Sequence, residues 1–178
     1  MENLKITYKD AIRESMEDIA KNPNAIFLGY NVKYGTKGDG AFINIPEHQL
    51  LETPVAENLM LSMAIGMSIE GYLPIVYYER FDFILNALDA MVNHLVKISY
   101  MSDKEFNPKV IIRAVVGGKK KPFFTGPTHT QDFTSAMKKM VNFPIIKLPN
   151  NPLKIKDWYK IAFESDRSFL IIEEKDKY

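Results

Sequence analysis

The stretch from Glu52 to Gly71 constrains the fold most, because it predicts a helix with almost no polar face. Thr53 is suited to cap its N-terminus, Pro54 to fill the first helical position, and Gly71 to end it in a left-handed conformation. Its apolar residues cover more than one stripe: Val55, Leu59, Met60, Leu61, Met63, Ala64, Ile65, Met67 and Ile69. A helix that is apolar on nearly all sides is expected inside a protein.

Glu57 is the exception in the first turn of this predicted helix. A capping box would require the acid three residues after Thr53, and Ala56 stands there instead. A carboxyl group at the start of a buried helix needs either a polar partner or a raised pKa, and both are typical of functional sites. Glu57 is therefore a candidate functional residue, and the alternative is an acid with a purely structural role.

Composition limits the class of protein. The 178 residues are 46% hydrophobic, which is typical of one ordinary domain, and 23 basic against 22 acidic residues give no basic surface charge for nucleic acid. The lack of cysteine excludes disulfides, thiol nucleophiles and thiolate zinc sites. The N-terminus has no signal-peptide pattern, and no apolar run approaches the ~20 residues of a membrane span. We therefore expect a soluble, cytoplasmic protein with a single domain over residues 1–178.

Helical and strand patterns alternate along the chain. Short apolar runs predict strands at 25–29, 73–78, 109–116, 145–148 and 169–172. Amphipathic or capped segments predict helices at 7–20, 85–101, 130–141 and 156–164, in addition to the apolar helix. This alternation predicts an α/β fold, with a parallel sheet covered by helices on both faces.

Ligands of open parallel sheets bind beyond the carboxyl ends of the strands. That rule brings together the loops after Leu28, Tyr78 and Val116 and the start of the apolar helix. The residues in these places with side chains suited to binding or catalysis are Glu57, Phe81, Phe83 and His129.

Several segments, in order and at similar spacing, resemble the pyrimidine-binding module of transketolase-like thiamine diphosphate enzymes. They are Glu-Thr-Pro-Val-Ala-Glu at 52–57, Gly-Tyr-Leu-Pro-Ile-Val at 71–76, Phe-Asp-Phe at 81–83, Ala-Leu-Asp at 87–89, Ser-Tyr-Met-Ser at 99–102 and Pro-Thr-His-Thr-Gln-Asp-Phe at 127–133. The resemblance is strongest to the beta subunit of the first component of 2-oxo acid dehydrogenase complexes. It implies a three-layer sandwich with helices on both sides of the parallel sheet.

The resemblance also implies roles for individual residues. Glu57 matches the glutamate that hydrogen-bonds a ring nitrogen of the cofactor's aminopyrimidine, and Phe83 matches the aromatic that stacks on this ring. Leu59 and Met60 are candidates for apolar contacts to the ring. His129 matches a histidine that positions or protonates the 2-oxo acid. The alternatives are core packing for Phe83 and an ordinary loop position for His129.

The diphosphate half of such a site is not expected on this chain. Related enzymes hold the diphosphate and magnesium through a Gly-Asp-Gly sequence followed by paired asparagines. Here Gly38-Asp39-Gly40 has no such pair at the required spacing, so it is interpreted as a turn. The resemblance therefore implies a partner chain that carries the diphosphate and magnesium, within a homo- or hetero-oligomer. Neither a diphosphate-binding module nor the family's C-terminal domain is expected within residues 1–178.

Together these features predict the pyrimidine-binding component of a split thiamine diphosphate enzyme that acts on a 2-oxo acid or a ketose and needs its partner for activity. One departure is Gly29-Tyr30-Asn31, where the family more often has Gly-Glu-Asp. This loss of acids argues against proton communication between paired active sites, and with it against full dehydrogenase behaviour. The alternative function is a noncatalytic interaction module or remnant of the family. A sugar-phosphate transketolase is a third interpretation.

Overall fold

A computed structural model of the chain describes residues 6–120 and 124–178. The N-terminal residues 1–5, on which the expected lack of a signal peptide depends, lie outside this part. The described residues form a six-stranded parallel sheet with the strand order β2-β1-β3-β4-β6-β5. The strands are β1 (Ala25–Gly29), β2 (Leu50–Glu52), β3 (Leu73–Tyr78), β4 (Ile111–Val116), β5 (Ile145–Lys147) and β6 (Phe169–Glu174). The predicted α/β fold is confirmed, and β2 is a strand that the sequence patterns did not predict.

Helices cover both faces of the sheet, so that each face has its own apolar core. They are α1 (Tyr8–Ala20), α2 (Glu57–Ile69), α3 (Ile98–Met101), α4 (Thr134–Met140) and α5 (Pro152–Glu164). Helices α1 and α5 pack side by side on one face, whereas α2 and the segment after β3 pack on the other. Strands β3 and β4 are buried along their whole length because both of their faces are covered. Within the described part of the chain, no helix has the length and apolar character needed to cross a membrane.

The start of α2 differs from the prediction. The helix begins at Glu57, with Ala56 in the N-cap position, so the expected cap at Thr53 and first turn at Pro54 are wrong. The reason is that Thr53 still belongs to the pairing beside β1, directly after β2: its backbone N–H donates to the carbonyl oxygen of Gly29 at 3.0 Å. At the other end the prediction is confirmed, since Gly71 has φ +88° two residues after the helix.

The burial of α2 also differs. Its inner face is buried, through Met60, Leu61, Ala64 and Ile65. Along the outer side, Val55 just before the helix and Leu59 and Ile69 within it are 65%, 47% and 37% exposed. The expectation of a helix buried all round is therefore wrong for the single chain, because the sheet covers only one of its faces.

Two other predicted helices also have different boundaries in the structure. The helix expected over 85–101 is a 3-10 helix (Phe81–Ala87), a π-helix (Asp89–Leu95) and α3 in succession. The carboxamide of Asn58 in α2 accepts from the backbone N–H of Ala90 at 3.1 Å, which joins this segment to α2. Helix α5 begins before the predicted 156 because Asn151 caps it, accepting from the N–H groups of Leu153 and Lys154.

Candidate functional site

The neighbouring strands β1 and β3 mark the point where the order of strand addition reverses, which is the topological switch point of the sheet. From β1 the chain next adds β2 on one side, and from β3 it next adds β4 on the other. Beyond the carboxyl ends of two such strands, open parallel sheets form a crevice that binds ligands. Tyr30 directly follows β1 and Glu79 directly follows β3, so both side chains stand at this crevice.

A cleft of about 80 Å³ occupies this position. Its lining residues come from the ends of β1 and β3, the start of α2 and the segment after β3: Tyr30, Val55, Glu57, Met60, Tyr77, Tyr78, Glu79 and Phe83. Of the residues that the sequence singled out, the structure thus brings Glu57, Met60 and Phe83 to one cleft. Leu59 is not among the lining residues and lies on the exposed side of α2.

Glu57 is the first residue of α2, where the positive end of the helix dipole favours a negative charge. Its backbone is tied to the sheet, because the hydroxyl of Tyr78 donates to the carbonyl oxygen of Glu57 at 2.9 Å. Burial raises the pKa of Tyr78, and the nearby Glu57 carboxylate raises it further. Tyr78 is therefore a neutral hydrogen-bond donor at physiological pH, and it fixes the first turn of α2 relative to β3.

Glu52 orders the loop after β1. Its carboxylate accepts hydrogen bonds of 2.7 to 3.3 Å from four successive backbone N–H groups, those of residues 31–34. The side chain of Asn31 in this loop donates to Oε2 of Glu79 at 3.1 Å. One carboxylate thus fixes the loop that carries Tyr30, and the loop in turn holds Glu79 at the cleft.

Sequence reasoning did not assign Tyr78 and Glu79 to the site, and it noted Tyr30 only as a departure from the family pattern. The signal that points to these residues is their place at the ends of β1 and β3, the two strands at the topological switch point. That place becomes visible only when the strand order is known.

The other two predicted residues lie in different surroundings. Phe81 is fully buried and its ring packs edge-on against Phe133 at 6.0 Å between centroids, so it belongs to the core. His129 is not among the residues that line the cleft, but its ring stands edge-on to Phe83 at 5.3 Å. Thr128 Oγ1 lies 2.9 Å from its Nδ1. The structure therefore places His129 beside the cleft, next to Phe83.

The Gly38-Asp39-Gly40 segment forms consecutive turns, as expected. Asp39 is buried, with its carboxylate 2.5 Å from Nζ of Lys175 and 3.3 Å from the hydroxyl of Tyr77. The carboxylate of Asp39 is thus paired with side chains of this same chain. Among residues 6–120 and 124–178, no cluster of three or more histidine and acidic side chains has a geometry that could hold a metal ion.

Comparison with known proteins gives the same fold. A family model described as the transketolase pyrimidine binding domain matches residues 4–178. The chain is 26% identical over 180 residues to the 2-oxoisovalerate dehydrogenase subunit beta of Bacillus subtilis (strain 168), covering 97% of this chain and 53% of that protein. It is 26% identical over 171 residues to the pyruvate dehydrogenase E1 component subunit beta of Staurastrum punctulatum, covering 92% and 50%.

A solved structure titled "Split gene transketolase, inactive beta4 tetramer" superposes with a TM-score of 0.70 at 17% identity, over 96% of this chain and 52% of that one. At this identity the likeness concerns the fold. The chain thus spans about half the length of each of these relatives.

Proposed function

The chain belongs to the family of transketolase pyrimidine-binding domains, and we propose that it is the pyrimidine-binding component of a split, thiamine diphosphate-dependent enzyme. In this proposal residues 1–178 act as a single cytoplasmic domain, and the substrate is a 2-oxo acid or a ketose. Activity requires a partner chain that binds the diphosphate and magnesium.

The observation that carries the proposal is the presence of Glu57 and Phe83 in one small cleft at the topological switch point of the sheet. The cleft suits a flat ring with a polar edge, since Glu57, Phe83 and Met60 are all among its lining residues. Whole-ligand sites usually have volumes of about 300–1,000 Å³. At about 80 Å³ the cleft is suited to one ring of a larger cofactor, with the rest held elsewhere.

The cofactor, when bound, would supply the carbon nucleophile for reaction with the substrate's carbonyl group. Glu57 would share a proton with a ring nitrogen and so hold the pyrimidine in its reactive form. Phe83 and Met60 would contact the ring, and Leu59 is retained as a proposed apolar contact. His129, beside Phe83, would position or protonate the substrate, a role for which the imidazole side chain is commonly used.

The exposed side of α2 supports the need for a partner. Val55, which lines the cleft, is 65% exposed, and Leu59, on the first turn of α2, is 47% exposed. Exposed apolar side chains beside a cleft are suited to contact with another chain. A chain that packed on Val55 and Leu59 would also border the cleft. The solved structure of similar fold is named as a split-gene transketolase, and a separate partner chain is in keeping with that name. In this proposal the partner holds the magnesium within a homo- or hetero-oligomer.

The test combines the purified chain with a candidate partner that has the Gly-Asp-Gly and paired-asparagine pattern. We expect calorimetric binding of thiamine diphosphate and magnesium by the mixture and by neither component alone. Glu57→Gln should still assemble with the partner but should lose the fast exchange of the thiazolium C2 proton, measured by NMR. Glu70→Gln is a matched control, because Glu70 is exposed at the opposite end of α2. An exchange rate in Glu57→Gln equal to that of the control would disprove the catalytic role of Glu57.

One observation favours a second candidate function. Tyr30 and Asn31 stand where the family more often has two acids, and Asn31 is engaged with Glu79. A chain that has exchanged those acids can act as a noncatalytic module that keeps only the interface. Association with the partner in the same calorimetric experiment, without any cofactor binding by the mixture, would favour this alternative.

A further inference from the structure

His129 lies between β4 and α4 in the sequence. Its turn is a 3-10 helix of three residues, Pro127–His129, closed by a hydrogen bond from the N–H of His129 to the carbonyl oxygen of Gly126 at 3.2 Å. A single short turn does not by itself fix the direction of a side chain. Contacts outside the turn must therefore keep the imidazole beside Phe83.

The first such contact is at Gly117, directly after β4. A Cβ atom at this position would lie 1.9 Å from the carbonyl oxygen of His129 and 2.5 Å from Oγ1 of Thr125. Both distances are far below van der Waals contact, and the first involves backbone, which cannot rotate out of the way. The backbone of His129 can thus rest on the end of the sheet only because residue 117 has no side chain.

The second contact is at Asp82, between Phe81 and Phe83. Its Oδ1 accepts two hydrogen bonds from Gln131, one from the backbone N–H at 3.3 Å and one from Nε2 at 2.8 Å. Asp82 is 8% exposed, and its Oδ2 has no hydrogen-bond partner within the described part of the chain. A buried carboxylate that receives both donors of one residue is a strong anchor for the chain that follows His129.

We propose that Gly117 and Asp82 are positioning residues that hold His129 against Phe83, the first by allowing close backbone approach and the second by anchoring Gln131. The importance of this position for catalysis rests on the proposed function. The positioning of His129 by Gly117 and Asp82 does not rest on the proposed function, because it concerns contacts within this chain. One contact is at the carbonyl group of His129 and the other is two residues later at Gln131, so together they fix the backbone where it leaves the turn.

The experiment uses the full chain, isotopically labelled, without cofactor or partner. The readouts are the nuclear Overhauser effects between the rings of His129 and Phe83 and the chemical shift of the His129 Hε1 proton. In Gly117→Ala the carbonyl oxygen of His129 must move by about 1 Å, so we expect loss of the ring-to-ring effects. The matched control is Gly66→Ala, because a Cβ there meets nothing within 4 Å and should leave both readouts unchanged.

The second pair of variants tests the anchor. Asp82→Ala removes the acceptor of both Gln131 donors, so the ring-to-ring effects should be lost and the Hε1 shift should move toward that of a free histidine. Asp82→Asn keeps an Oδ1 acceptor and should restore both readouts, whereas general destabilisation would not follow this pattern. Asp157→Ala, on the exposed side of α5, controls for loss of an acidic side chain.

Loss of the effects in Asp82→Ala with recovery in Asp82→Asn would support the proposal even if Gly117→Ala failed to fold. Retention of the effects in a folded Asp82→Ala variant, or equal loss in Asp82→Asn, would overturn it. Neither result depends on thiamine diphosphate. If the cofactor failed to bind the mixture with a partner while these readouts behaved as expected, only the proposed function would fail.

Discussion

Replacement of Tyr78 by phenylalanine tests how the start of α2 is held at the cleft. In the structure the Tyr78 hydroxyl donates to the carbonyl oxygen of Glu57 at 2.9 Å, and the ring is buried. Tyr78→Phe keeps the ring in the core and deletes only this donor. The Glu57 carbonyl can still accept the ordinary hydrogen bond of the helix from four residues ahead, so the substitution leaves no buried acceptor without a partner.

The expected loss of stability follows from that single bond. A neutral intramolecular hydrogen bond contributes about 0.5–1.5 kcal/mol to the free energy of unfolding. For a chain of 178 residues, a change of about 1 kcal/mol shifts Tm by roughly 2–4 °C. We therefore expect Tyr78→Phe to lower Tm by about this amount. Hydrogen exchange at the first hydrogen-bonded amides of α2, from Met60 onward, should become faster because the helix start loses its tie to β3.

The assay is thermal unfolding followed by circular dichroism, together with amide hydrogen exchange. Tyr72→Phe provides the matched control, since Tyr72 is 47% exposed and should tolerate loss of its hydroxyl without a change in Tm. If Tyr78→Phe had the same Tm and the same exchange rates at the start of α2 as this control, the hydroxyl would not hold the helix. The reasoning about how Glu57 is placed would then be refuted.

Three further predictions concern stability. Arg113 donates to both carboxylate oxygens of Glu173 at 2.7 and 2.9 Å, and both side chains are fully buried. Glu173→Ala should therefore lower the free energy of unfolding by roughly 3–5 kcal/mol in urea titrations. An unchanged value would contradict the importance of the pair. Gly66→Ala should raise the free energy of unfolding by up to about 1 kcal/mol, because Gly66 lies within α2 with open space around it. Gly71→Ala should lower the free energy of unfolding, because Gly71 has φ +88°. Shifts of Tm in the same direction for both variants would contradict this account. Burial opposes ionisation of Asp132, but hydrogen bonds from Thr134 and the ion pair with Lys147 prevail and lower its pKa to about 2. Since this folded-state pKa is below the unfolded value of about 3.9, the charged group stabilises the fold above that value and the stabilisation is lost as pH falls toward 2. Urea titrations should therefore show Asp132→Asn to be less stable than wild type at pH 7, with the difference shrinking between pH 4 and pH 2; a difference independent of pH would contradict the assignment.

The sequence predicted the sheet and the order of most elements, and it singled out Glu57 and Phe83, which the structure places at one cleft. Short apolar runs such as Ala25–Gly29 identify buried parallel strands by themselves, and the capping box of Thr7 and Asp10 marks the start of α1 as the structure has it. The acid of Glu57 was recognisable as unusual because no local capping pattern explains it. These features depend on neighbours within a few residues, which is the range over which local patterns act.

The tertiary structure decided which of these groups meet. The 3-10 and π conformations after β3, the exposed side of α2 and the core position of Phe81 follow from packing against elements far away in sequence. The same is true of the hydrogen bond of Tyr78 to Glu57, the anchor of Gln131 on Asp82 and the close approach at Gly117.

The sequence by itself thus determined the repeating strand and helix periods and the residue types available for chemistry. Only the strand order and register determined that Tyr30, Glu57, Glu79 and Phe83 line one cleft. The physical reason is that distances between side chains at different strand ends are fixed by the hydrogen-bonded sheet, and no local propensity encodes that pairing.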